Sequence, residues 1–291
     1  MKPAAFDYHA PETAGQAVAL LTELGEDTKP IAGGQSLVPM LNLRLAFFAH
    51  LVDLRRIAEL RGIRREDGAL WIGAGTTQAA VERSAEVHTS VPLLALTTPL
   101  IGHFQIRNRG TIGGSLAHAD AAAEYPAVAI TLDAEFEALS VRGPRTIPAA
   151  EFFTGVWSTD LEADELLTGV RFPMWAGRCG FAVEEFARRH GDFAIAGATV
   201  AVELDDADRV VRCAIGLFGL GSTALRATEA EVAMTGQLIS EVDRAEPGQL
   251  AMSSVTSAPT DLHGDGEYRK QVGAAMVSRA WQRAVREAAG D

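Results

Sequence analysis

Residues 105–126 read QIRNRGTIGGSLAHADAAAEYP, and the rest of the chain takes its meaning from this stretch. Gly113 and Gly114, flanked by Thr111 and Ser115, predict a backbone turn with no Cβ in the way, where main-chain N–H groups can close on an anion. Upstream, residues 30–39 read PIAGGQSLVP. Here a second Gly-Gly turn, formed by Ala32, Gly33, Gly34, Gln35, Ser36 and Leu37, follows a short apolar run that predicts a strand. Two such turns predict a clamp on a single diphosphate.

Outward from these turns, the N-terminal third reads as alternating short strands and helices. Residues 6–8 predict a strand, and residues 13–24 a helix with Ala17, Leu20, Leu21 and Leu24 on one face, ended by Gly25. Residues 29–32 predict the strand that delivers the first glycine turn, and residues 36–46 a short irregular helix covering the ligand. Further strands are expected at residues 51–54, 62–65 and 70–74. The last enters GAGTTQ, residues 73–78, which fails as a dinucleotide fingerprint. Its third glycine position holds Gln78, and no acidic residue follows at residues 91–98 to take a ribose hydroxyl. A strand-to-helix turn is the expectation there, with a helix over residues 78–84.

Residues 92–101 predict a buried helix leading into the central stretch, and residues 126–132 a helix with Pro126 in its first turn. Strands are expected at residues 135–141 and 166–172. PMWAGRCG, residues 173–180, marks a boundary, because beyond it the pattern becomes strand-rich: residues 180–188, 194–204 and 210–217, with a polar hairpin at Asp205, Asp206, Ala207 and Asp208. Two amphipathic helices close the chain, at residues 226–235 and 267–289. In the second, Tyr268, Val272, Met276, Ala280, Ala284 and Ala288 recur every four residues as a packing face.

Composition excludes several classes. With 26 Lys and Arg against 38 Asp and Glu, the 291-residue chain carries a formal charge of −12, which repels the phosphate backbone of nucleic acid and anionic membrane alike. The first residues contain no apolar leader core and no apolar run reaches membrane-spanning length, so a soluble, cytoplasmic protein without a transmembrane segment is expected. Two cysteines, Cys179 and Cys213, cannot supply the four thiolates of an iron–sulfur cluster. No HxxxH or HExxH spacing, GxxxxGK[ST] loop or G-x-S-x-G elbow is present, so neither a metal centre, an ATP loop nor a hydrolase nucleophile is expected.

AGGQSLVP followed by QIRNRGTIGGSLAHAD resembles the FAD-binding medium subunit of the molybdenum hydroxylases, the family of carbon monoxide dehydrogenase and xanthine dehydrogenase. The resemblance covers nearly the whole chain. It implies an α+β fold: a two-lobed α/β FAD-binding domain of the PCMH type over residues 1–175, with lobes of about 1–55 and 56–175, then a C-terminal domain of antiparallel sheet plus helices over 176–291. By similarity, Ala32, Gly33, Gly34, Gln35, Ser36 and Leu37 line the diphosphate from one lobe, while Thr111, Gly113, Gly114 and Ser115 close from the other. Ile101 falls where the family places an apolar or aromatic side chain near the adenine. Glu124 stands where the family more often has Asp holding ribityl or ribose hydroxyls. Leu167 falls where a backbone contact to the flavin is made. Phe193, in RHGDFA, takes the place of a Tyr that lies over the isoalloxazine, and Glu184 and Glu185 stand in the region of a common lysine.

The resemblance further implies molybdopterin on a large partner subunit, [2Fe–2S] clusters on a small one, and a dimer of heterotrimers passing electrons to NAD, a quinone or oxygen. No residue of this chain need act as an acid or base, since FAD carries the redox chemistry. Two other readings stay open: a stand-alone two-lobe FAD-dependent dehydrogenase or oxidase, and a non-catalytic nucleotide-binding assembly protein.

Overall fold

Thr13 starts the first helix by accepting the Gln16 N–H on its hydroxyl, and Gly25, at φ 71°, ends it. In the computed structural model, which describes residues 2–290, this helix, α1 (Ala14–Leu24), buries Ala14, Ala17, Val18 and Leu21, a stripe at helical spacing. It joins β1 (Asp7–His9) to β2 (Thr28–Ile31), and after α2 (Leu37–Asn42) the chain returns as β3 (His50–Asp53). The three strands pair in parallel in the order β1-β3-β2. That order leaves β2 at an edge, its C-terminal end free to open into the loop of residues 32–37. The helix expected over residues 36–46 is shorter than predicted, stopping at Asn42 before Arg44 turns left-handed at φ 58°.

The next unit is a five-stranded antiparallel sheet, β4 (Ile63–Glu66), β5 (Ala69–Gly73), β6 (Glu135–Ser140), β7 (Gly143–Pro148) and β10 (Leu166–Pro173), in the order β4-β5-β10-β6-β7. Between β5 and β6 run α3 (Gln78–Arg83), α4 (Ala85–Ser90), α5 (Pro92–Thr97), α6 (Phe104–Arg107), α7 (Ile112–His118) and α8 (Glu124–Thr131). Between β7 and β10 come α9 (Ala149–Phe152) and a small hairpin, β8 (Phe153–Gly155) with β9 (Ser158–Thr159). Every residue of α8 is buried. A helix apolar all round must be covered all round, and α8 lies between α5 and the next sheet.

That sheet consists of β11 (Arg178–Phe186), β12 (Ala196–Leu204), β13 (Val210–Phe218) and β14 (Leu225–Arg226), antiparallel and in sequence order. One face, through Phe181, Ala201, Ala214 and Phe218, joins the core that contains α8 and the five-stranded sheet. The other face is covered by α10 (Thr228–Met234), α11 (Glu246–Ser253) and the long α12 (Gly266–Ala289). A Cβ at Gly180 would fall 1.8 Å from the Ala284 carbonyl oxygen, so glycine is what lets β11 and α12 touch. Thr131 of α8 and Thr199 of β12 share a buried hydroxyl contact of 2.7 Å across the two units. No helix among the described residues is long and apolar enough to cross a membrane.

Candidate functional site

A cleft of about 510 Å³ opens where the small parallel sheet, the five-stranded sheet and the β11–β12 loop meet. Its first wall is the loop between β2 and α2. Gly34 has φ 73° and lies against Ile31 and Val38, and the Gln35 side chain braces the loop by donating to the Gly33 carbonyl at 3.0 Å. The N–H groups of Gly33, Gly34, Gln35, Ser36 and Leu37 find no acceptor among the described residues. Buried or clustered main-chain donors require a partner, and a consecutive run of them around a left-handed glycine is an anion-binding nest.

The second wall differs from its sequence expectation. Gly113 and Gly114 are not a turn; they lie in the first turn of α7, which Thr111 caps by accepting the Gly114 N–H at 3.0 Å. The neighbouring donors are already used: Ile112 N–H on the Thr76 carbonyl at 3.0 Å, Gly113 on Ala74 at 2.9 Å and Ser115 on Thr111 at 3.1 Å. The glycines serve contact distance instead. A Cβ at Gly113 would sit 2.3 Å from that of Ala74, and one at Gly33 only 2.2 Å from the Arg109 carbonyl oxygen. The two walls thus meet backbone to backbone. The first loop holds the free N–H groups, while the second offers the hydroxyls of Thr111 and Ser115.

The residues expected to contact the cofactor line this one cleft: Ala32, Gly33, Gly34, Gln35, Ser36 and Leu37, with Ile101, Thr111, Gly113, Gly114, Ser115, Glu124, Leu167 and Phe193. Glu124 is only 9% exposed, and burial pushes its carboxyl up to about 8, with Glu185 and Asp120 adding to the rise. Leu167 immediately precedes a register shift in the pairing of β10 with β6; such a bulge re-aims the backbone beside a site. Phe193 is 69% exposed, its ring uncovered by the chain. Glu184 pairs with Arg283 of α12, whereas the Oε2 atom of Glu185 is buried without a partner among the described residues, and burial raises that carboxyl to about 7.

The segments that carry Ile101 and Phe193 approach each other: a Cβ at Gly191 would fall 3.2 Å from the Gly102 carbonyl carbon and 2.9 Å from the His103 ring.

Sequence reasoning also missed part of the lining. Ala74, Gly75 and Gln78 come from the GAGTTQ run, Thr159 from the β8–β9 hairpin, and Leu161 and Glu162 from the segment leading into β10. Gln78 is 4% exposed and its Oε1 has no donor among the described residues; the signal was a polar residue at a helix start after a strand, which the failed fingerprint obscured. Lys29 lines the cleft just before the nest, with the Phe48 ring 5.8 Å from its ammonium and no carboxylate among the described residues in a salt bridge with it. Its signal was legible: a lysine three residues ahead of the AGG run in a chain whose cations are mostly arginine. Burial lowers the Lys29 ammonium, and burial likewise lowers His118, whose neighbours include Asp120 and Lys29.

A nest of unpaired N–H groups, a lysine without a carboxylate partner, two hydroxyls and a cleft of ordinary ligand size together suit a dinucleotide with a central diphosphate. Residues 4–175 match the FAD binding domain in molybdopterin dehydrogenase, and residues 181–284 the CO dehydrogenase flavoprotein C-terminal domain. The chain belongs to the FAD-binding medium subunits of the molybdopterin dehydrogenases, of the carbon monoxide dehydrogenase type, and is an oxidoreductase subunit. It is 42% identical over 99% of its length, and 97% of the relative's, to the 6-hydroxypseudooxynicotine dehydrogenase complex subunit alpha of Paenarthrobacter nicotinovorans. The carbon monoxide dehydrogenase medium chain of Hydrogenophaga pseudoflava is 39% identical, with 96% of this chain and 97% of that one covered. A solved structure of that dehydrogenase, lacking the Mo-pyranopterin moiety, superposes with a TM-score of 0.95 over 99% of both chains at 40% identity.

Proposed function

We propose that this chain holds FAD in the cleft and relays electrons from an iron–sulfur cluster on a small partner subunit to an external acceptor, with substrate oxidised at molybdopterin on a large partner. In this reading the nest of residues 33–37 and Lys29 take the diphosphate, and Thr111 and Ser115 add hydroxyl contacts. Glu124 meets a ribityl or ribose hydroxyl, the Leu167 backbone meets the flavin, Ile101 lies near the adenine and Phe193 lies over the isoalloxazine. FAD, when bound, supplies the redox centre that accepts electrons and hands them on. The chain's residues supply orientation. The domain division of residues 1–175, with lobes 1–55 and 56–175, from 176–291 belongs to the same proposal, as do a cytoplasmic location and assembly as a dimer of heterotrimers.

The single observation that carries the reading is the run of unpaired N–H groups at Gly33 to Leu37 beside Lys29 in the cleft. The partner requirement follows from inventory. Among the described residues no group of three His, Cys, Asp or Glu side chains is placed to hold a metal, and two cysteines, Cys179 and Cys213, are too few for the four thiolates of a cluster. The test is anaerobic reduction of the isolated, FAD-loaded chain. Dithionite should bleach the flavin, NADH should do so if NAD is the acceptor, and carbon monoxide or 6-hydroxypseudooxynicotine should leave it oxidised. Catalytic bleaching of the isolated chain by either organic or CO substrate would replace the subunit reading with a stand-alone flavoenzyme.

A further inference from the structure

The segment that carries Phe193 to the cleft is held from behind by a buried arginine. Arg269 lies on α12 at 4% exposure. Its Nη1 donates to the carbonyl oxygens of Ile195 at 2.6 Å and Gly219 at 3.1 Å, and its Nη2 donates to Asp261 Oδ2 at 2.7 Å. Ile195, two residues after Phe193, donates its own N–H to the Phe186 carbonyl at 2.8 Å. Gly219, at φ 74°, donates its N–H to the Ala121 carbonyl at 2.7 Å, inside the loop between Asp120 and Glu124. A Cβ at Gly219 would lie 2.8 Å from the Ile195 carbonyl oxygen, so the two acceptors of the guanidinium crowd against each other.

One side chain therefore joins the Phe193 segment, the Glu124 loop and the α12 approach. Packing alone does not call for it: Met276, Val277, Ala280 and Ala284 fill the same helix with apolar volume. A buried guanidinium is costly unless its donors are met; here Nη1 is met by the two main-chain carbonyls and Nη2 by the Asp261 carboxylate, while Nε has no partner among the described residues. Asp261 completes the arrangement. The His263 N–H and then Arg269 hold its carboxyl below the usual carboxylate range.

We infer that Arg269 is a positioning residue for bound FAD, setting the Phe193 segment through Ile195 and the Glu124 loop through Gly219 and Ala121, without touching the cofactor. The inference rests on the FAD reading of the cleft. Its test is a fluorescence titration of the full-length, flavin-free chain with FAD, together with visible circular dichroism of the bound flavin. The variants are Arg269→Lys, Asp261→Asn and, as a control on the same helix, Arg283→Gln, which removes only the ion pair with Glu184. Arg269→Lys keeps charge but cannot reproduce the fork; it should weaken FAD binding about tenfold and alter the visible dichroism. Asp261→Asn should weaken it about threefold, and Arg283→Gln should match the parent chain. A folded Arg269→Lys with parental affinity and dichroism overturns the inference, as does an equal loss in Arg283→Gln. If Arg269→Lys does not fold, Asp261→Asn decides: weakened binding supports the inference and unchanged binding overturns it. Failure of the parent chain itself to bind FAD strikes the cofactor reading instead, and the inference falls with it.

Discussion

Gly33 and Glu124 set two different demands on the cleft, one of space and one of charge. At Gly33 any side chain meets the Arg109 carbonyl oxygen at 2.2 Å, and neither backbone can yield without parting the two walls. Gly33→Ala should cost about 1–3 kcal/mol by overpacking and weaken FAD binding at least about tenfold; titration of the purified variant checks this, and parental affinity would place the diphosphate elsewhere. At Glu124 the carboxyl is raised from 4.5 to about 8 by burial. Between these values the unfolded chain releases a proton that the folded chain retains. The group's contribution to stability is therefore full below pH 4.5 and is lost as the pH rises toward about 8. Glu124→Gln, which cannot ionise, should stabilise the flavin-free chain by an amount that grows from about pH 5 to about pH 8, reaching a few kcal/mol. Urea melts at both pH values measure it, and an equal gain at each would contradict the buried neutral carboxyl.

At the scale of elements, α7 is what joins the second wall to the sheet. Its cap, the Thr111 hydroxyl on the Gly114 N–H at 3.0 Å, should contribute about 1 kcal/mol. Thr111→Ala is expected to lower the unfolding free energy by that amount and to weaken FAD binding, because the capping hydroxyl also lines the cleft; a change in stability alone would leave Thr111 a cap and nothing more. The same helix shows where sequence reading stops. Residue types around Gly113 and Gly114 pointed to a ligand, but Gly-Gly has turn propensity, and only the approach of Ala74 explains why the pair sits in a helix. β7 escaped notice because Gly143, Pro144 and Pro148 read as loop, yet proline is tolerated on an edge strand, and β7 is at the sheet edge. α11 was hidden in the same way by Pro247 and Gly248. In α12 a stripe read at every fourth residue drifts around the helix, since 3.6 residues make a turn. Tyr268 ends up 40% exposed while Arg269 and Gly273 turn inward.

Across the whole molecule, local patterns gave many of the strands and helices and the two segments that meet at the cleft. The parts they missed were long-range: that β10 returns to the centre of the five-stranded sheet between β5 and β6, that α8 is buried against the C-terminal sheet, and that the Gly191 and Gly102 segments approach each other. Each depends on contacts between residues far apart in sequence, which periodicity does not encode. The joint product of these contacts is a cleft built for a flavin dinucleotide. Its most direct test is to purify the full chain, remove any flavin, reconstitute with equal concentrations of FAD and FMN, and identify what acid precipitation releases. FAD should be recovered at about one per chain with little FMN, because the nest at Gly33 to Leu37 and Lys29 act on a diphosphate that FMN lacks. Release of FMN in equal amount, or no flavin from a folded chain, would contradict it.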